Sequence, residues 1–268
     1  SAASDVYKRQ DLISGDTLTF RNTLGVYASK DVGQGIGVTV SLVSGDLLST
    51  NYSLAPVTIS GAIGTITAKQ LTGSLTGATS KVYDATTAAT LTSSNFAFSG
   101  LAANESLVIQ PPQGSYASPN AGTNLTVTAS LSQSNVTAGA NTLLSNYILP
   151  SAVSGAIGTI APKQLTGALV GTTTKIYDGT TAAALTGNNV TLSGFIGNDS
   201  LTVQQLQGSY ASKDVGANLT VTASLTQSNV TTGASTVLSN YILPSTVSGA
   251  IGTITPVSYT HLRAHETS

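Results

Sequence analysis

The chain copies itself. Residues 71–162 align with 165–256 without a gap, at a spacing of 94, and roughly two thirds of the paired positions are identical. Residues 11–70 look like the last part of an earlier copy: Tyr27-Ala28-Ser29-Lys30-Asp31-Val32-Gly33 matches 210–216, and "NYSL" from Asn51 and "GAIGTITAKQ" from Gly61 follow after a shorter middle. Solenoid units run about 20–50 residues, so a period this long suits small domains strung in tandem rather than one continuous coil. The expected organisation is a truncated repeat over 11–70 and full repeats over 71–164 and 165–256, with short joints around Gln70 and Gln164. Each bead is expected to bury its own core.

Within a copy the hydrophobic period is two. Leu125-Thr126-Val127-Thr128-Ala129-Ser130-Leu131 alternates strictly, as do 219–225 and 36–42. Such alternation is a strand with one face inward and one in water. Further strands are expected over 81–91, 96–99, 106–110, 114–117, 146–149 and 155–160, divided by turn residues such as Pro111-Pro112 and Asn120-Ala121-Gly122. About seven short strands in such a length predict an all-β fold of tandem Ig-like β-sandwiches. The alternative is a β-grasp-like repeat, whose helix would have to use the Ala-rich run that starts at Thr180.

The two ends are unlike the rest. Residues 1–10 and 257–268 resemble translated sequencing adaptor: 5–10 and 257–262 read as translations of opposite strands of one DNA tag. If they are set aside as artefact, both histidines (His261, His265) go with them. The remaining segment has seven basic residues against nine acidic, a net charge of −2, and no Cys.

These counts exclude several classes of function. Charged residues are 8% of the chain, against about 25% in ordinary soluble domains. No basic stripe supplies the electrostatic footprint of nucleic-acid binding. No apolar run approaches the ~18 residues of a membrane helix, so no transmembrane segment is expected in this fragment. Without Cys there are no disulfides or thiolate metal sites. Without His or Cys, Ser and Thr nucleophiles have no activating partner. Gly33-Gln34-Gly35-Ile36-Gly37 lacks the Gly-Lys-Ser/Thr ending of a phosphate loop and runs into a strand.

Lys175-Ile176-Tyr177-Asp178-Gly179-Thr180-Thr181, then Tyr210-Ala211-Ser212-Lys213-Asp214-Val215-Gly216, then Ser239-Asn240-Tyr241, then Gly252-Thr253-Ile254-Thr255-Pro256, together resemble one YDG-type repeat. Such repeats occur in arrays in large bacterial exoproteins similar to filamentous haemagglutinin-like adhesins. The resemblance covers nearly all of 11–256. It implies export to the bacterial cell surface and a surface-filament role, and by itself gives no ligand; the partners expected are adjacent repeats of the same chain and, outside it, a host surface glycan or protein. The second copy departs from the pattern with Ala85 in place of the glycine and Pro119-Asn120 in place of Lys-Asp.

The motif residues are Lys81, Tyr83, Asp84, Lys175, Tyr177, Asp178 and Gly179, with Asn146, Tyr147, Asn240 and Tyr241 from the Asn-Tyr element. A catalytic reading makes Asp178 a base, Lys175 its partner and Tyr177 an acid. The structural reading packs the tyrosine ring in the core and lets Asp178 bond turn N–H groups ahead of Thr180. General acid–base work needs a second titrating group tuned near working pH, and one active site per repeat would be unusual, so no enzyme activity and no cofactor are expected. A glycan-processing module would have to use Asp84/Asp178 and Glu105/Asp199, the acids both copies share. Asp178, Asp199 and Asp214 are candidates for a weak calcium site, although hard cations want six to eight oxygens. Lys175, Asn240 and Asp178 (Lys81, Asn146 and Asp84 in the other copy) have the residue types of a Lys–Asn isopeptide cross-link. An alternative binding role uses the Tyr116 and Tyr210 loops as weak multivalent contacts for glycans or proteins. Asn-x-Ser/Thr triplets such as 124–126 and 218–220 arise readily in a chain of this composition.

Overall fold

A computed structural model describes residues 13–21 and 23–259. The adaptor-like stretch 1–10 and most of its C-terminal counterpart, 260–268 with both histidines, lie outside the described residues; Val257 is exposed. The described chain is all-β, in tandem sandwich-like domains, and its helical segments are single 3-10 turns. No described helix is long and apolar enough to cross a membrane.

The compact units do not coincide with the repeats. One unit gathers the chain up to Thr72 with Ser99–Val108 and Thr137–Pro150, and the other gathers Gly73–Phe98, Ile109–Val136 and the chain from Ser151 onward.

In the second unit, the third copy builds a five-stranded sheet in the order Thr173–Ile176, Thr246–Thr255, Gly216–Ser224, Leu206–Tyr210, Ala182–Leu185. The first pair is parallel, with Thr173 opposite Gly252. The remaining pairs are antiparallel. Two ribbons complete the copy: Thr166–Leu169 with Val190–Ser193, and Leu201–Val203 with Val230–Thr232. The second copy repeats the five-stranded sheet with Thr79–Val82, Ala152–Ala161, Gly122–Ser130, Gly114–Tyr116 and Ala88–Ala89. In the first unit, Val26–Tyr27, Gly33–Leu42 and Val57–Ile66 form an antiparallel three-stranded sheet.

The alternating stretches became strands because their inward residues have a core to enter: Val127, Ala129, Val221 and Ala223 are all buried. Two expectations change. The stretch 81–91 is not one strand. It breaks after Val82 and resumes at Ala88, because Asp84 ties down a turn and Ala85 takes a left-handed φ of 62°. The Ala-rich run after Thr180 is the edge strand Ala182–Leu185, so the helix that a β-grasp would need is absent there.

One local device recurs that the sequence reading passed over. At Thr92/Asn95, Ser132/Asn135, Thr186/Asn189 and Thr226/Asn229, the asparagine Oδ1 accepts the N–H of the residue three earlier, closing a 3-10 turn that feeds a strand. Its signature is Ser/Thr-x-x-Asn, an Asn-bearing relative of the capping box.

The cores divide unevenly. The third copy's cluster, around Leu185, Val221 and Ile254, uses its own residues alone. The second copy's cluster does not: around Tyr83, Val127 and Ile160 it takes in Leu165 and Tyr241 from the third copy, with Phe195 and Ile196 packed against it. The expectation that each bead buries its own core therefore fails for the second copy, whose core is shared with the third.

Candidate functional site

The Lys-x-Tyr-Asp motif folds into a tight local knot. Lys175 Nζ lies 2.6 Å from Asp178 Oδ1 and also donates to the carbonyl and hydroxyl oxygens of Thr180 at 2.8 and 2.9 Å. Asp178 Oδ1 in turn accepts the Thr180 N–H at 2.9 Å. The second copy matches it: Lys81 Nζ meets Asp84 Oδ1 at 2.7 Å, and Asp84 accepts the Thr86 N–H at 2.9 Å. Each ammonium also lies over a buried tyrosine ring, Lys81 over Tyr116 and Lys175 over Tyr210. The lysine hydrogen bond, backed by Thr180, lowers Asp178 to about 2. Asp84 is lowered for the same leading reason. A carboxylate held ionised in this way fixes a turn and makes a poor base near neutral pH.

Gly179 occupies the left-handed region at φ 74°, and Ala85 occupies the same region in the second copy. The backbone conformation is thus kept where the glycine is not.

The Asn-Tyr element faces a different partner. Asn240 is 1% exposed. Its Oδ1 accepts the Ala121 N–H at 2.8 Å, and its Nδ2 donates to Asn120 Oδ1 at 3.0 Å. The side chain of one copy thereby clamps a loop of the copy before it. In the other unit Asn146 does the same to the first copy: Oδ1 accepts the Val32 N–H and Nδ2 donates to Asp31 Oδ1, both at 2.8 Å. That bond is the main reason the Asp31 carboxyl titrates below its ordinary value. The receiving loops are preformed by a serine hydroxyl, with Ser29 Oγ accepting the Asp31 N–H and Ser118 Oγ the Asn120 N–H.

The tyrosine beside each clamp anchors an acid of its own copy. Tyr241 OH donates to Asp199 Oδ2 at 2.6 Å and accepts the Ile196 N–H at 3.0 Å. Tyr147 OH donates to Glu105 and accepts the Ala102 N–H. Lys30 of the first copy approaches Glu105 to 3.6 Å. On Asp199 a second phenol arrives across the seam: Tyr83 OH donates at 3.1 Å, and its ring meets Tyr241 edge-on with centroids 5.4 Å apart. Burial, then the Asp199 hydrogen bond, raises Tyr241 to about 12 and raises Tyr83 in the same direction.

The joints themselves are paired backbone. Lys163–Gln164 runs parallel to Tyr241–Ile242, and Lys69–Gln70 runs parallel to Tyr147–Ile148. Gln164 and Gln70 each donate to two carbonyls of the copy that follows.

The remaining expectations fall into place around this seam. Tyr83 is in the core, but Tyr177 is 38% exposed and does not reach it. The ring of Tyr83 is covered by the third copy, and the matching cover is not present over Tyr177 among the described residues. The Tyr116 and Tyr210 rings are 2% exposed each, so neither offers a contact surface. Asp178, Asp199 and Asp214 take separate partners (Lys175, the two phenols, Ser212), and no group of three or more acids or histidines suited to a metal occurs among the described residues. The lysines and asparagines of the cross-link sets are likewise engaged apart: Lys81 and Lys175 with their own turns, Asn146 and Asn240 with the preceding copy. The residues that sequence reading missed are the receivers, Asp31 with Val32 and Asn120 with Ala121. Their signal was a side-chain oxygen kept at one position of the Ser-x-Asp/Asn loop while its neighbours changed.

Comparison with known families matches the YDG domain over residues 67–154 and 161–249, together more than half of the chain. No curated protein and no solved structure matches.

Proposed function

Because the chain belongs to the YDG domain family and carries two tandem copies of the domain, we propose that it is a spacer: part of the stalk of an exported bacterial surface adhesin that displays a binding region elsewhere on the parent protein. The observation that supports this reading best is the seam. The same asparagine clamp and the same parallel joint strand link first copy to second and second to third. Within each unit the linker is a strand paired with the copy that follows, and in this reading short joints limit bending, so reach grows with copy number. In this reading the chain is not an enzyme, takes no cofactor and works outside the cell. The ends 1–10 and 257–268 are adaptor-derived rather than native.

Pulling the chain from its two ends in a force spectrometer tests the proposal. The chain should resist and then lengthen in discrete steps that total about 30 nm per full copy, from roughly 3.3–3.6 Å per extended residue. The same chain, immobilised, should retain no host-cell glycan. Retention of a glycan that is lost on a surface substitution, or yielding without discrete steps, contradicts it.

A further inference from the structure

The third copy carries the receiving half of the seam with nothing described in it. Ser212 Oγ accepts the Asp214 N–H at 3.0 Å, the same preformed loop as Ser29–Asp31 and Ser118–Asn120. Among the described residues, Val215 N–H and Asp214 Oδ1 have no partner, whereas their equivalents bond Asn146 in the first copy and Asn240 in the second. Tyr177 is held by the same backbone bond as Tyr83, each N–H reaching a carbonyl of the long neighbouring strand at 2.8 Å. Yet the residue is 38% exposed against 7% for Tyr83. Val215 is 52% exposed against 37% for Val32. The backbone is the same, and what differs is the cover.

We propose that the loop of Ser212, Asp214 and Val215, with Tyr177 beside it, is a docking socket for the Asn-Tyr edge of another YDG copy. The chemistry of the occupant follows from the two filled seams. It presents an asparagine amide that takes the Val215 N–H on its oxygen and gives an N–H to Asp214. It presents a tyrosine whose ring meets Tyr177 edge-on. It carries a carboxylate at the position of Glu105 and Asp199. That carboxylate accepts the Tyr177 hydroxyl, as Asp199 accepts Tyr83, and pairs with Lys213, as Glu105 pairs with Lys30. Lys213 and Asp214 match Lys30 and Asp31 and differ from Pro119 and Asn120, so this socket combines the ionic features of one seam with the tyrosine pair of the other. The inference rests on seam geometry and is independent of where the chain is displayed.

The test duplicates residues 163–256 directly after Pro256 in the full chain and follows hydrogen exchange at the Val215 N–H. With the socket filled, exchange should slow by at least about tenfold, the scale of one buried hydrogen bond. Replacing the asparagine of the added copy that corresponds to Asn240 by alanine should return Val215 to its original rate while the strands of the added copy stay protected. An added copy that folds without slowing Val215, or that stays unfolded beside the socket, overturns the proposal. Either result leaves the stepwise force response of the existing copies intact, so it is distinguishable from failure of the spacer reading.

Discussion

Asn240 and Ala121 lie 119 positions apart, and the amide oxygen of one accepts the backbone N–H of the other at 2.8 Å. Asn240 belongs to the third copy and Ala121 to the second, so this bond is part of what makes two repeats one folded object. Removing it leaves the Ala121 N–H at a closed seam with no acceptor. Asn240→Ala should lower stability by about 1–3 kcal/mol, read as a shift in the denaturant midpoint. Asn120→Ala combined with it should cost less than the sum of the two single changes, because the residues share one network.

The turn knot predicts an acid dependence. Asp178 titrates near 2 when folded, against an ordinary value of 3.8. A depressed carboxylate contributes fully above the unfolded value and loses that contribution as pH falls through the folded one. The stability lost between pH 4 and pH 2 should therefore be smaller in Asp178→Asn than in the unaltered chain. Thermal midpoints measured across that window check it, and equal losses would remove Asp178 from the account.

At the alkaline end the sign reverses. Tyr241 titrates near 12 when folded, so its contribution is complete below about 10 and fades as pH rises toward 12. Phenolate absorbance should show its ionisation well after that of ordinary tyrosines. Tyr241→Phe should delete that late step.

Ala85 and Gly179 occupy one backbone position in two copies, both left-handed. A Cβ there is strained, and the gain from relieving the strain is offset in part by glycine's greater unfolded freedom. Ala85→Gly should stabilise the chain by roughly 0.5–1 kcal/mol, and Gly179→Ala, which meets open space, should destabilise it by a similar amount. Chemical denaturation of the two variants checks the pair of signs.

Gly252 and Tyr210 show a harder limit. A Cβ on Gly252 would run into the Tyr210 ring and the Leu219 carbonyl oxygen, and Gly158 stands in the same relation to Tyr116 and Leu125. Gly252→Ala should cost about 1–3 kcal/mol by overpacking, with the near-ultraviolet tyrosine signal changing in parallel.

The strands were legible because alternation is a local signal: Leu125 to Leu131 and 219–225 carry their own period, and both runs became central strands. The break at Asp84 was not, since Lys-Val-Tyr-Asp reads as a strand until Asp84 is seen to take the Thr86 N–H. The roles of Lys175 and Asp178 could be framed from spacing, because both groups act within a few residues. The receiving half of the seam could not. Asn146 to Val32 and Asn240 to Ala121 span more than a hundred residues, and single-sequence periodicity carries no information at that range. The exposure of Tyr177 beside the burial of Tyr83 has the same origin: closely similar local sequence, different neighbours.

The dependence of the second copy on the third is measured most directly by hydrogen exchange in the strand Gly122–Ser130, comparing the full chain with one that stops after Pro162. Loss of Leu165, Phe195 and Tyr241 from the shared core should speed exchange there by about tenfold or more, the effect of removing a kilocalorie-scale contact. Unchanged protection in the shortened chain would mean that the second copy closes its core alone, and the account of the seam would fail.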